Sequence, residues 1–217
     1  MTKIYLVDDH PLMRKGIAMT LDLEMDFEVC GQAESAEEAI SDISEIKPDI
    51  VVVDISLPGM NGIELIKHLK AQNPDLLMLV VSRHDEDMYA ERAIKAGARG
   101  YLMKMEAGDV IVNAIRRILK GQIYLSEEIN NKLLMGMMSG GQVGRSSPLE
   151  ILSDRELEVF ELIGNGSTTR EIAERMHVSI KTVESYRTRI KTKLDISTGN
   201  ELIKQAVQWV ASESDAD

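Results

Sequence analysis

The chain has 217 residues, 44% of them hydrophobic and 28% charged, with a formal net charge of −11 and one cysteine. That length suits two ordinary domains better than one, and the apolar content is that of a globular protein. An internal disulfide is excluded, no apolar stretch approaches the ~20 residues of a membrane span, and the amino terminus enters a strand pattern instead of a signal peptide, so the chain is expected to be soluble and cytoplasmic.

Ile4-Tyr5-Leu6-Val7 reads as a buried strand and leads into Asp8-Asp9; a helical pattern follows from Leu12 to Leu23. Phe27-Glu28-Val29-Cys30-Gly31 supplies the next strand, with Cys30 expected as a buried thiol. Ser35-x-x-Glu38 has the capping-box pattern, and Ala36, Ala39, Ile40, Ile43 and Ile46 keep helical spacing until Lys47-Pro48. Four β-branched residues, Ile50-Val51-Val52-Val53, end at Asp54 and the turn Ile55-Ser56-Leu57-Pro58-Gly59. A helix is predicted from Ile63 through Ile66 and Leu69 to Asn73-Pro74, then a strand Leu77 to Val81 that runs into Ser82. The acidic turn Asp85-Glu86-Asp87 suits a helix amino terminus, and that helix stops near Gly97. Tyr101-Leu102-Met103 precedes Lys104, and a last helix runs from Asp109 through Ala114, Ile115, Ile118 and Leu119 to Gly121. Five strands alternating with five helices imply a doubly wound parallel sheet.

Beyond Gly121 the pattern changes. Residues 127–138 fit one further helix, and residues 139–148 are rich in glycine and serine, as a flexible linker is. Four short helical patterns follow, opening at Ser153 with Glu156, at Thr168 with Glu171, at Ser179 toward Leu194, and at Asn200 toward Val210. Only a short turn through His177-Val178 separates the second from the third, which is helix-turn-helix spacing.

In a parallel α/β sheet, ligands sit beyond the carboxyl ends of the strands, and here those ends carry Asp8, Asp9, Asp54, Ser82 and Lys104. Like charges in one site raise each other's pKa, so three carboxylates call for a counter-charge. A hard divalent cation such as Mg²⁺ suits an all-oxygen set. Phosphoryl transfer to a carboxylate needs positioning and charge neutralisation, which Lys104 and the Ser82 hydroxyl supply.

These residues, Val7-Asp8-Asp9-His10, Asp54 with Pro58-Gly59, Ser82, and Gly100-Tyr101-Leu102-Met103-Lys104, resemble the receiver domain of bacterial two-component response regulators over residues 1–120. The resemblance implies a flavodoxin-like fold with Asp54 as phosphoacceptor, Asp8 and Asp9 as the acidic metal pair for Mg²⁺, and Ser56 lending a backbone carbonyl to the metal. It implies that Lys104 grips the phosphoryl group while Ser82 and Tyr101 form the switch pair, with Tyr101 turning inward on phosphorylation. Where the family has a small residue or methionine after the switch hydroxyl, this chain has Arg83 and then His84, which bears on water access.

From Ser179 to Leu194, Val183, Tyr186, Ile190 and Leu194 share one helical face. Lys181, Glu184, Ser185 and Thr188 point away from it, and Arg187, Arg189, Lys191 and Lys193 suit phosphates. Between 181 and 193 only Glu184 opposes five cations, a local charge of +4 that matters more to a contact face than the net charge. Leu152-Ser153-Asp154-Arg155-Glu156, Gly166, Glu171-Ile172-Ala173, Val178-Ser179, Lys181-Thr182-Val183-Glu184 and Lys193-Leu194 resemble the LuxR-type output domain over residues 148–212. Thr169 stands where many members have asparagine. Joined to the receiver, this is similar to the NarL/FixJ class.

The expectation is a receiver at 1–120, a linker with one helix at 121–147, and an all-α helix-turn-helix domain at 148–212. The chain is expected to take phosphate from a sensor histidine kinase, to bind double-stranded DNA without acting as an enzyme in its own right, and to form a phosphorylation-promoted homodimer. Met13 and Ile17, and Leu202, Ala206 and Val207, are candidates for its apolar contacts. Two rivals are an aspartate-nucleophile phosphohydrolase, which would want an acid where Ser56 stands, and a phosphorylation-independent DNA binder whose receiver is a relict.

Overall fold

The computed structural model describes residues 1–138 and 148–214, so residues 139–147, most of the expected flexible linker, lie outside the described residues. Two compact units divide at 141/142. In the first, strands β1 (Thr2–Val7), β2 (Phe27–Ala33), β3 (Ile50–Val53), β4 (Leu77–Ser82) and β5 (Gly100–Met103) form a parallel sheet in the order β2-β1-β3-β4-β5. Helices α1 (Pro11–Asp22), α2 (Ala36–Ile46), α3 (Gly62–Gln72), α4 (Glu86–Ala96) and α5 (Ala107–Leu119) alternate with them. Strands β1, β3 and β4 are buried on both faces, which is why they read as continuous apolar runs. Ile4, Leu6, Ile50, Val52, Leu79, Val81 and Leu102 pack against Ile17, Ala18 and Leu21 of α1 and Ile111, Ala114, Ile115 and Ile118 of α5.

Local chemistry sets the helix ends. Ser35 caps α2 by accepting from the Glu38 N–H, but the Glu38 carboxylate turns to the Glu34 N–H, so the expected reciprocal box closes one residue early. Asn61 and Glu64 form a complete capping box on α3. Gly62 is required there, because a Cβ would lie 2.1 Å from the Asp54 carbonyl oxygen. Asp85 caps α4, and Gly97 ends it at φ 118°.

Residues 121–138 belong to this first unit. Tyr124 pairs with the edge of β5, accepting from the Tyr101 N–H and donating to the Arg99 carbonyl, each at 2.9 Å. Helix α6 (Glu127–Met138) follows, with Leu125 and Ile129 buried, and Lys132 reaches Asp87 of α4 at 2.5 Å. These bonds shield a sheet edge that the bare sequence left open.

The second unit holds a short 3-10 helix (Pro148–Ile151), then α7 (Asp154–Gly164), α8 (Thr169–Arg175), α9 (Ile180–Lys193) and α10 (Gly199–Ser214). Both predicted capping boxes, Ser153 with Glu156 and Thr168 with Glu171, are formed. Leu157, Phe160, Ile163, Ile172, Val183, Ile190, Leu202 and Ala206 are buried. At Gly164 a Cβ would stand 2.5 Å from the Ala206 carbonyl oxygen, so α7 meets α10 at backbone distance. Leu202 and Ala206, and Ile17 in the first unit, are core residues and not free contact area; on α10 it is Ile203 and Val207 that face out. No described helix is long and apolar enough to cross a membrane.

Candidate functional site

Register brings the reactive side chains together. Val7 pairs with Val53 and Val53 with Val80, so Asp8 and Asp54 leave the sheet at one level, where the strand order reverses between β1 and β3. Ser82 pairs with Met103, and the Lys104 N–H donates to the Ser82 carbonyl at 2.7 Å, which turns the lysine across the sheet edge. Its ammonium sits 2.7 Å from Asp8 Oδ2 and 2.8 Å from Asp54 Oδ2, with all three residues buried. Burial, and then the neighbouring Asp54 charge, push the Asp8 carboxyl above its ordinary range against the pull of Lys104.

Asp54 Oδ1 and Asp9 Oδ1 are buried without a hydrogen-bond partner. His10 Nδ1 stands 2.5 Å from Asp9 Oδ1 at an angle unfit for a hydrogen bond, 3.4 Å from Asp8 Oδ1 and 4.0 Å from Asp54 Oδ2. Two of these carboxylate oxygens lack partners, and one ligand atom from each of Asp8, Asp9, His10 and Asp54 lies within 4.8 Å of the others, so the three carboxylates fit the donor chemistry of Mg²⁺. His10 does not add a nitrogen ligand in this arrangement. Arg83 Nη2 lies 3.0 Å from His10 Nε2, and a guanidinium can only donate, so Nε2 accepts and the ring proton of the neutral imidazole sits on Nδ1.

Ser82 is fully buried, and its Oγ accepts from the His84 N–H at 3.2 Å. Tyr101 is already inward: it is 1% exposed and its hydroxyl donates to the His84 carbonyl at 2.7 Å. The Ser56 side chain reaches the same residue, with Oγ 2.8 Å from His84 Nε2, and the His84 ring packs 4.5 Å from that of Tyr89 on α4. His84 therefore joins both switch side chains, the turn after Asp54 and α4. Sequence reasoning flagged it only as a departure from a family pattern, because its partners lie as far as 28 residues away.

In the helical unit, Val183 and Ile190 are fully buried while Tyr186 and Leu194 are half-buried, so the predicted inner face holds. Lys181, Glu184, Ser185, Thr188 and Arg189 are exposed, and Thr182, Arg187 and Lys191 are partly exposed. The Ser185 and Thr188 hydroxyls bond back to the Lys181 and Glu184 carbonyls. Arg189 lies over the Tyr186 ring at 5.9 Å. Lys193, expected at phosphates, is exposed, and its ammonium donates to Glu156 Oε2 at 2.7 Å and to the Ile151 carbonyl at 3.0 Å, which ties α9 to the start of α7. Burial opposes ionisation of Glu156, yet Lys193 and Ser153 together hold its carboxyl below the ordinary range.

Arg14 was missed from sequence. It lies on the stripe Arg14, Ile17, Ala18, Leu21, the buried face of α1, and a cation at a core position was a readable signal.

Residues 4–116 match the response regulator receiver domain, and residues 150–206 match the bacterial regulatory proteins of the luxR family. Along nearly the whole chain it is similar to the oxygen regulatory protein NreC of Staphylococcus haemolyticus, 33% identical over 95% of this chain and 97% of the relative. It is likewise similar to the transcriptional activator protein ExaE of Pseudomonas putida, 37% identical over 94% of this chain and 95% of that one. Among solved structures, a LuxR-family two-component response regulator from Aurantimonas sp. SI85-9A1 is 34% identical, covering 64% of this chain and 99% of its own, with a TM-score of 0.59. RcsB from Salmonella enterica serovar Typhimurium, bound to promoter P1flhDC in the presence of the phosphomimetic BeF3-, is 25% identical over 94% of this chain and 96% of its own, with a TM-score of 0.58. The chain belongs to the two-component response regulators, in the NarL/FixJ family that joins a receiver to a LuxR-type helix-turn-helix. It is a phosphorylation-controlled, DNA-binding transcriptional regulator and not a classical enzyme.

Proposed function

We propose that Asp54 is the phosphoacceptor, that a sensor histidine kinase supplies the phosphoryl group, and that α9 carries the contact to double-stranded DNA. The observation that carries this reading is the state of Asp54: Oδ2 is held by Lys104 while Oδ1 is buried without a hydrogen-bond partner, a carboxylate with room for both a phosphoryl group and a cation. An Asp54 oxygen forms a bond to phosphorus as the bond from phosphorus to the donor's histidine nitrogen breaks, and that nitrogen keeps the electron pair. Lys104 and Ser82 meet the charge spread over the phosphoryl oxygens. Asp8, Asp9, Asp54 and the Ser56 carbonyl would hold Mg²⁺, which when bound neutralises the same charge. Water attack on phosphorus later releases inorganic phosphate and restores the carboxylate, the only turnover we assign to the chain.

Residues 1–120 form the acceptor part in this reading, 148–212 the DNA-binding part, and 121–147 join them through α6. Lys181, Thr182, Glu184, Ser185 and Thr188 lie toward bases, and Arg187, Arg189 and Lys191 toward phosphates. A cytoplasmic location follows from a DNA target. One recognition helix reads only a few base pairs, so a phosphorylation-promoted homodimer is proposed to supply two half-sites about one helical turn apart. Exposed Ile203 and Val207, one helical turn apart on α10, support a self-complementary contact there.

The test is incubation of the full chain with phosphoramidate, with and without Mg²⁺, followed by gel separation of the phosphorylated form and by selection of bound genomic fragments. Wild type should be modified in a Mg²⁺-dependent way and select DNA more tightly afterwards. Asp54→Asn that still accepts phosphate would overturn the assignment.

A further inference from the structure

We propose that Arg14 is a positioning residue for the acidic pair: its guanidinium holds the turn that presents Asp8 and Asp9 to a divalent cation. The inference deepens the metal reading above and rests on it. Burying a guanidinium on the core face of a helix is costly unless the charge is paired and hydrogen-bonded. Here Nη1 donates to the backbone carbonyl of Asp8 and Nη2 to Glu34 Oε1 at 2.6 Å.

The two acceptors lie on different turns at the same end of the sheet. Asp8 is the first residue after β1, and Glu34 is the first after β2. The strand pairing stops at Val7 with Ala33, and one further bond, Asp8 N–H to the Ala33 carbonyl at 3.1 Å, holds the turns together. Nothing in the sheet ladder accounts for the Asp8 carbonyl, so Arg14 sets its direction. That direction fixes the peptide that carries Asp9 and, through the bond from the His10 N–H to Asp8 Oδ1 at 2.8 Å, the Asp8 carboxylate as well.

Charge is a smaller part of the effect. The Glu34 side chain is 64% exposed, so water already screens its pairing with Arg14, and burial, Asp54, Lys104 and His10 are what shift Asp8. The fork geometry of arginine is what a lysine cannot reproduce at a two-acceptor site.

The experiment follows phosphorylation of the full chain by phosphoramidate across a Mg²⁺ series, together with calorimetric Mg²⁺ binding in the absence of donor. Arg14→Met and Arg14→Lys should each raise the Mg²⁺ concentration for half-saturation about tenfold, the low end for losing a group behind a metal ligand. The rate at saturating Mg²⁺ should stay within about twofold of wild type, since Asp54, Lys104 and Ser82 are untouched and ~0.4 kcal/mol covers that ratio. Glu34→Gln, whose amide oxygen still accepts from Arg14, should bind Mg²⁺ as wild type does. A merely structural arginine would lower the melting temperature and leave half-saturation unchanged, and that result overturns the proposal. If Arg14→Met does not fold, Arg14→Lys decides by the same criterion. A wild-type chain that shows no Mg²⁺ dependence at all overturns the metal reading and this inference with it.

Discussion

Lys104 and Asp54, fifty positions apart in the chain, meet at 2.8 Å beneath the end of β3, and the same ammonium reaches Asp8 at 2.7 Å. One buried cation thus compensates two buried carboxylates. Removing it leaves both uncompensated, so Lys104→Met should destabilise the first unit by about 3 kcal/mol in chelator, the scale of breaking a buried pair. Mg²⁺ should return part of that loss by binding the folded state alone. Thermal unfolding followed by circular dichroism, with chelator and with millimolar Mg²⁺, checks both statements; equal midpoints for variant and wild type in chelator would contradict them.

Arg83 spans from the turn after β4 to His10 on the turn after β1, with 3.0 Å between Nη2 and Nε2. His10 Nδ1 lies 4.0 Å from Asp54 Oδ2 in turn, so the pair stands beside the carboxylate proposed to carry the phosphoryl group. Arg83→Ala should shorten the lifetime of the phosphorylated chain by about threefold, ~0.7 kcal/mol in the barrier. Decay of the phosphorylated band after donor removal measures it, and an unchanged lifetime would show that the bridge does not shield the site.

Glu156 gives the helical unit a pH dependence of defined sign. Its carboxyl lies below the ordinary range, so its stabilising contribution is fully present above that range and is lost as pH falls through the lowered value. Trp209, the one tryptophan, packs 5.8 Å from Phe160 and reports on this unit alone. Melts followed by tryptophan fluorescence should therefore shift down from about pH 4.3 in wild type. Glu156→Gln should show a smaller shift over the same window; a full-sized one would assign the acid sensitivity elsewhere.

The engagement of Lys193 also limits the salt dependence of DNA binding. Arg187, Arg189 and Lys191 remain for phosphates, and even with Lys181 counted among them log affinity against log salt should be no steeper than about −3.6 per subunit. Lys191→Ala should flatten that slope by about 0.9 for every DNA sequence, whereas Lys193→Ala should leave it unchanged and lower the melting temperature instead. Substituting Ser185 or Thr188 should change which sequence is preferred. Fluorescence anisotropy over a salt series separates these outcomes.

Much of this architecture was readable from the chain because its signals are local. Strands β1, β3 and β4, covered on both faces, show as unbroken apolar runs. Capping boxes announce themselves within four residues, as at Ser153 and Thr168. The residues that close those runs, Asp8, Asp54, Ser82 and Lys104, are displayed at one edge by parallel pairing alone, so the site could be assembled before any coordinate was known.

What the tertiary structure decided depends on partners far away in sequence, where many contacts are locally equivalent and packing selects one. Nothing near Lys193 points to Glu156, and nothing near Arg14 points to Glu34. Whether an apolar residue on an amphipathic helix lies inside or outside is settled by a rotation of one residue, which buried Leu202 and Ala206 and left Ile203 and Val207 in solvent. The segment after Gly121 reads as a connection because its own pattern is weak; only the free edge of β5, where Tyr124 makes an isolated bridge, ties it to the first unit. Sequence alone determined the chemistry at the strand ends, since backbone pairing imposes it; the fold decided which charges remain free to act, since burial and distance exist only once the chain has closed on itself.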